Sequence, residues 1–531
     1  MTETGDLNSV PAIGIRPIPF LFIFKDLTHV FSMDPIGREI LSMAFPAALA
    51  LASDPVASLI DTAFIGRLGA VELAAVGVSI AIFQQASRIT IFPIVSVTTS
   101  FVAEEDTLEK IKEEEEEANK AKNVHANTLA IQDSLEKGVT STTSNNKNQP
   151  QQTPASDTKS NNGNKANKKG KKTIKSASTA MIIGLTLGLV QAIVLIFSSK
   201  VLIGIMGVKP NSAVLSPAQK YLTIRALGAP ALLLSLSMQG IFRGFKDTKT
   251  PLYATVASDG LNIILDPIFI FVLRLGVSGA AIAHVISQYF MLLILLIRLA
   301  KEVNLMPPKF GDLQFGKFIR NGGLMLARTI AVTFCQTLAA SMAARLGTTP
   351  MAAFQICLQV WLTSSMLADG LAVAGQAILA CNFAEKDYNK VTAAASRVIQ
   401  MSLVLGLGLS VFVGLGLYFG SGVFSKDPAV IHLIAIGIPF VAATQPINSL
   451  TFVLDGVNFG ASDFAYTAYS MVGVAAVSIA AVIYMAKVNG FVGIWIALTI
   501  YMGLRAVTGI GRMATGTGPW KFLRGRSPSS S

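Results

Sequence analysis

Long apolar runs, broken by short polar turns, recur from residue 40 to residue 514. A helix rising 1.5 Å per residue needs about 20 such residues to cross a bilayer core, so each run predicts a membrane-spanning helix. Twelve are predicted, over residues 40–69, 72–104, 176–199, 217–242, 250–274, 277–300, 316–345, 350–384, 389–420, 428–456, 464–487 and 491–514. Pro217, Pro251 and Pro350 fall at the starts of three of them, where the backbone N–H would have no intrahelical partner anyway. The expected class is an all-α membrane protein with twelve transmembrane helices. One stretch differs in kind. Residues 105–175 hold the acidic run Glu113 to Glu117, then a Ser/Asn/Gln/Lys-rich tract ending in Lys168, Lys169, Lys171 and Lys172. Such a segment cannot bury a core and predicts disorder. Its lysines read as a solvated tether or as a weak contact with anionic lipid.

The pattern also repeats. "RLGAVELAAV" at Arg67 is similar to "RLGTTPMAAF" at Arg345, 278 residues on. "SFVAE" ending at Glu104 and "CNFAE" ending at Glu385 are 281 apart. "GIFRGFKD" from Gly240 returns as "GVNFGASD" from Gly456, 216 apart, and "GVSGAAIA" from Gly276 as "GFVGIWIA" from Gly490, 214 apart. The spacing shrinks by about 65 residues once the polar segment is passed, so that segment is an insertion in the first of two copies. Six helices per copy is an even number, which makes the copies parallel repeats about an axis along the membrane normal. The expected organisation is a cytosolic N-terminal segment 1–39, an N-lobe 40–300 carrying a disordered cytosolic insert 105–175, a linker 301–315, a C-lobe 316–514 and a cytosolic tail 515–531.

Composition agrees: the 531 residues are 52% hydrophobic and 14% charged, against about 25% charged in soluble domains. A net charge of +12 would suit nucleic acid, but the charges lie between apolar runs, so no nucleic-acid partner is expected. Arg243, Lys246, Lys249, Arg298, Lys301, Lys309, Lys317 and Arg320 collect on one side, which should be cytosolic with both termini inside. Residues 1–39 hold no secretory signal pattern, so the first helix should serve as the insertion signal. Cys335, Cys357 and Cys381 lie in apolar segments and read as buried hydrophobes. His29, His125, His284 and His432 lack metal-ligand spacing, so neither a metal nor a cofactor is expected.

Charge inside a span is expensive and marks a cavity or a partner. Asp54, Ser58 and Asp61 share one face of the first predicted helix, and Asp259, Asn262 and Asp266 one face of the fifth. Rise per residue puts Asp61 and Asp266 in the outer half of the membrane. Carboxylates in a poorly hydrated pocket exchange protons near neutral pH, and Asn262 can donate to one of them. These five polar residues, Asp54, Asp61, Asp259, Asn262 and Asp266, are the candidate cation-coupling set; structural pairing or capping is the alternative. Arg88 and Arg328 place one guanidinium within each half, and paired forks suit a multivalent carboxylate. Gln84, Gln85, Gln336 and Gln359 would add neutral hydrogen bonds. The repeat aligns Arg88 with Asp369, so an Arg88–Asp369 ion pair is the competing expectation. Glycine patterns such as "VLGLGLSVFVGLGLYFGSG" from Val404 sit in apolar sequence and fit close helix packing.

"LIDTAFIGRLG" around Asp61, "RGFKDTKTP" after the fourth predicted helix and "NIILDPIFIFVLRLGVSGAAIAHVISQY" from Asn262 resemble the multidrug and toxic compound extrusion (MATE) family. The resemblance spans all twelve predicted helices without the insert. It implies two six-helix lobes in a V with pseudo-twofold symmetry, and antiport driven by protons or sodium. In the family's DinF-like branch the residues matching Asp61, Asn262 and Asp266 form the N-lobe cation site. The acidic residue that other branches carry in the seventh helix is missing here, where Arg328 and Gln336 stand. The insert, with "QDSLEKG" and "TSNNKNQPQQ", and the tail "TGTGPWKFLRGRS" are similar to those of plant citrate exporters of the family linked to root-to-shoot iron movement. That likeness implies a plasma-membrane monomer exporting citrate or a similar carboxylate, coupled to H⁺ or Na⁺, in support of iron translocation or aluminium tolerance. Competing readings are an exporter of organic cations or flavonoids and a membrane-embedded enzyme. The enzyme would need surface clusters of catalytic spacing, which the sequence lacks.

Overall fold

The computed structural model describes residues 34–139, 174–303, 313–425 and 427–524. Most of the expected N-terminal segment and linker, the Lys168–Lys172 run and the end of the tail lie outside the described residues. The N-lobe consists of α1 (Pro35–Gly66), α2 (Ala70–Val139), α3 (Lys175–Ile205), α4 (Leu215–Ala226), α5 (Ala229–Gly244), α6 (Lys249–Pro267) and α7 (Val277–Glu302). The C-lobe consists of α8 (Phe315–Arg345), α9 (Thr348–Ala384), α10 (Tyr388–Phe424), α11 (Pro428–Ala443), α12 (Gln445–Gly460) and α13 (Phe464–Ala514).

Two predicted spans are bent pairs. α4 meets α5 at 45° and α11 meets α12 at 48°. Pro230 and Pro446 stand in the first turn of the second member of each pair, where they end the preceding hydrogen-bond ladder. α13 is broken at Gly490, whose φ of 55° and ψ of −129° lie outside helical space. Gly276, which opens α7, has φ 54° and ψ −132°. Only glycine adopts this conformation freely, and the two glycines are repeat partners in sequence. Lys246 and Ser462 repeat the match in the turns after α5 and α12, at φ 61° and 54°. With each bent pair counted once and α13 divided at Gly490, the described residues form the twelve spans of two like lobes. Side chains such as Phe197, Phe412 and Phe419 are largely exposed on the outside, as a lipid-facing surface requires.

The disorder expected over 105–175 is corrected for its first part. α2 runs on past Glu104 to Val139, an extension of about 50 Å. Glu, Lys and Ala dominate there, and all are strong helix formers. Lys110 pairs with Asp106 at 2.6 Å one turn away, and Lys120 lies 3.9 Å from Glu116. Polar composition suggested disorder; spacing of opposite charges by four residues favours helix.

The lobes interlock at the end where α1 begins and the α2 extension leaves. Gln376 on α9 donates to the Ser96 carbonyl at 2.8 Å and to the Ser100 hydroxyl at 2.9 Å, both on α2. Ser100 in turn donates to the Phe459 carbonyl at 2.8 Å. Gly370 on α9 lies so close to α1 that a Cβ there would sit 2.6 Å from that of Ala48. Lys317 approaches Glu104 at 3.7 Å, and Arg397 pairs with Asp34 at 2.9 Å. Farther along the same helices the side chains become exposed: Gln84, Gln85 and Arg88 on α2, and Gln355, Gln359 and Thr363 on α9. The lobes therefore diverge from the interlock and enclose a cleft open at the opposite end.

Candidate functional site

The N-lobe wall of the cleft brings α1 and α6 together. The Asn262 amide donates to Asp61 Oδ1 at 2.9 Å and reaches Asp266 Oδ2 at 3.4 Å. Ser287 on α7 donates to the Asn262 carbonyl oxygen at 3.2 Å, which orients that amide. His284 Nδ1 stands 3.9 Å from Asp61 Oδ2. Asn262 and Asp266 are buried, whereas Asp61 keeps partial access. Asp266 Oδ1 is buried with no hydrogen-bond donor. An orphaned carboxylate oxygen is costly; a proton or a small cation would satisfy it. α6 ends at Pro267 and passes into a π-helical turn, Ile268–Val272, immediately beyond Asp266. Such turns recur beside functional groups because they re-aim the backbone.

Closer to the interlock, Ser53 donates to Asp259 Oδ2 at 2.5 Å. Asp54 is solvent-accessible and yet hemmed in by protein, as expected on the wall of a deep cleft. The structure thus gathers all five expected cation-coupling residues into one region. It adds three that the sequence reading did not assign: Arg225, Tyr221 and His284. Arg225 on α4 stands beside Tyr221, Asp61 and Asp54, with its guanidinium 4.5 Å from the Phe83 ring. A lone arginine inside a predicted span was the available signal. His284 was legible only as an isolated histidine.

The two expected substrate arginines have different surroundings. Arg88 is exposed midway along the membrane part of α2, flanked by exposed Gln84 and Gln85, and has no ion pair among the described residues. Gln359 is exposed on α9 and Gln336 half-buried on α8. Arg328 is buried in the C-lobe and pairs with Asp455 on α12, which also accepts from Arg505 Nη2 at 2.7 Å. Arg505 belongs to the second half of α13, and Asp455 immediately precedes "GVNFGASD", which the sequence reading used only as a repeat marker. The Arg88–Asp369 pair is not formed. Asp369 lies within electrostatic reach of Arg243, Arg328, Arg505 and Asp455 instead. Arg88 lies on the exposed stretch of α2 beyond the interlock, whereas Asp369 lies beside the seam glycine Gly370. Cys335, Cys357 and Cys381 are free thiols buried in the helix packing.

A family model, MatE, matches residues 163–268 and 325–485. Protein DETOXIFICATION 43 of Arabidopsis thaliana is 82% identical over 532 residues, covering 100% of this chain and 100% of the relative. Protein DETOXIFICATION 42 of the same plant is 56% identical over 506 residues, covering 95% of this chain and 97% of the relative. A crystal structure of MATE in the straight conformation superposes with a TM-score of 0.72 over 94% of this chain and 99% of that one. Identity there is 17%, so that likeness concerns the fold.

Proposed function

The chain belongs to the MATE family of multi-pass membrane transporters, and from that premise we propose that it exports citrate, or a closely similar carboxylate, in exchange for protons. The observation that supports an anionic substrate is Arg88: an exposed guanidinium midway along the membrane part of α2, without an ion pair among the described residues and one turn beyond two exposed glutamines. Arginine stays charged when desolvated and forks onto carboxylates. In the proposed cycle the substrate passes from Arg328 of the C-lobe to Arg88 of the N-lobe as the lobes rock to open the other end. After release, protons entering the cleft neutralise Asp61 and Asp266, repack α1 against α6 and reset the carrier; Asp54 and Asp259 are the next carboxylates along the same wall. Each elementary charge moved outward through a negative-inside potential of 100 mV gains about 2.3 kcal/mol, so a polyanion needs little further driving force.

The proposed setting is the plasma membrane with both termini cytosolic, which makes the interlocked end cytosolic and the open cleft outward. Citrate leaving the cell there would serve iron translocation or aluminium tolerance. Four carboxylates on the N-lobe wall favour a second reading, export of organic cations. Radiolabelled citrate flux in proteoliposomes, with pH, Na⁺ and voltage gradients imposed separately, tests both. Citrate flux that follows voltage and the pH gradient is the expected result. No citrate flux, together with gradient-driven flux of a labelled organic cation, would transfer the assignment to the second reading.

A further inference from the structure

Between α8, α12 and α13 lies a small polar pocket walled by Arg328, Asp455, Asn458, Ser470, Arg505 and Thr508. Both guanidiniums converge on the same oxygen, Asp455 Oδ2. A structural ion pair needs only one fork per carboxylate. Here two cations share one acceptor oxygen, and the other carboxylate within electrostatic reach, Asp369, is shared with Arg243 as well. The donors are also in excess: Arg505 Nε is buried with no acceptor. Aromatic rings hold the forks in place, Arg328 over Phe459 at 5.1 Å and Arg505 over Tyr501 at 5.4 Å. The pocket lies near the lobe seam: Phe459, beneath the Arg328 guanidinium, accepts from Ser100 of the N-lobe, and Asp369 precedes a seam glycine. Gly370, the next residue, touches α1 at Ala48. Parting the lobes at the interlocked end would therefore remove N-lobe contacts beside this pocket.

We propose that the Arg328–Arg505 pair is a carboxylate-binding station of the C-lobe, occupied in this conformation by Asp455 as a resident stand-in that an incoming substrate carboxylate displaces. This rests on the anionic-substrate reading for its natural ligand, but the station itself is defined by carboxylate chemistry. Loading at the interlocked end occurs at Arg328 and Arg505, and Arg88 receives the substrate on the cleft side. Asp455 refills the station when the substrate has moved on, so the two arginines are never left unpaired at bilayer depth. No covalent step is involved; one carboxylate exchanges for another.

The test uses the full chain in detergent and in proteoliposomes. In Asp455→Ala the stand-in is gone, so formate should raise the thermal midpoint and compete with citrate, whereas formate should leave the wild type unchanged. Citrate should bind Asp455→Ala about tenfold more tightly than the wild type, since no internal competitor remains. Should that variant not fold, Arg505→Lys decides: it keeps the charge but loses the fork, so KM for citrate should rise about tenfold with kcat little changed. No formate effect on Asp455→Ala, or an unchanged KM in Arg505→Lys, would overturn the station. A wild type that transports no citrate while formate still fills Asp455→Ala would sink the citrate reading alone.

Discussion

Gln376 of the C-lobe holds Ser96 and Ser100 of the N-lobe through one amide group, at 2.8 and 2.9 Å. All three residues are buried, and Ser100 passes the link on to Phe459. The hydrogen bonds run between lobes rather than within one, so they are made only when this end is closed. Gln376→Leu leaves Ser96 and Ser100 without that donor and should weaken the closed state by about 1–3 kcal/mol. The expected outcome is a larger population open at this end, read by spin-label distances between residues on α2 and α9. An unshifted distance distribution would show that apolar packing alone closes the seam.

Asn262 ties Asp61 to Asp266. Asp266→Asn removes the titration while keeping the size, so transport should continue but lose its dependence on the pH gradient. Asn262→Leu should impair the same dependence by leaving two carboxylates without their shared donor. Flux measured at fixed voltage over a series of pH gradients checks both; a preserved slope in Asp266→Asn counts against proton coupling at this residue.

Arg88→Ala should lower citrate flux by at least about tenfold, the order of one charge-assisted hydrogen-bonded contact. Since Arg88 is exposed and unpaired among the described residues, its loss should leave the thermal midpoint nearly unchanged. Equal flux in the variant and the wild type would remove the anion contact from the cleft.

Gly456 on α12 lies against the Ala372 backbone of α9, with no room for a Cβ. Gly456→Ala should cost about 1–3 kcal/mol by overpacking, measured as a lower unfolding midpoint. Gly473, with nothing near its missing Cβ, is the matched control.

At the turn before α10, Asp387 accepts the backbone N–H of Lys390 at 3.1 Å. That bond, reinforced by the Lys390 ammonium, holds its carboxyl below the usual carboxylate range. A lowered value means that the stabilisation is present above the ordinary range and is lost as pH falls through the lowered one. Hydrogen-exchange protection in the first turn of α10, taken relative to the intrinsic rate at each pH, should therefore fall on acidification in the wild type, and Asp387→Asn should flatten that response.

The chain alone determined what depends on local order. Apolar run length determined the spans, because backbone polar groups in lipid must pair within a helix. Spaced similarity revealed the duplication, and backbone angles at Gly276 and Gly490 repeat it. The faces of α1 and α6 carrying Asp61, Asn262 and Asp266 were legible because helical periodicity is local. Tertiary structure decided the partners. Arg328 and Arg88 looked alike in sequence, each an arginine inside the apolar part of a span, yet one is enclosed by Asp455 and Arg505 and the other is exposed. Arg225 and His284 joined the acidic wall from α4 and α7, far away along the chain. The reason is physical: periodicity assigns a residue to a face of its own helix, whereas the neighbour across that face is set by how lobes pack, and packing sums weak contacts from every element at once.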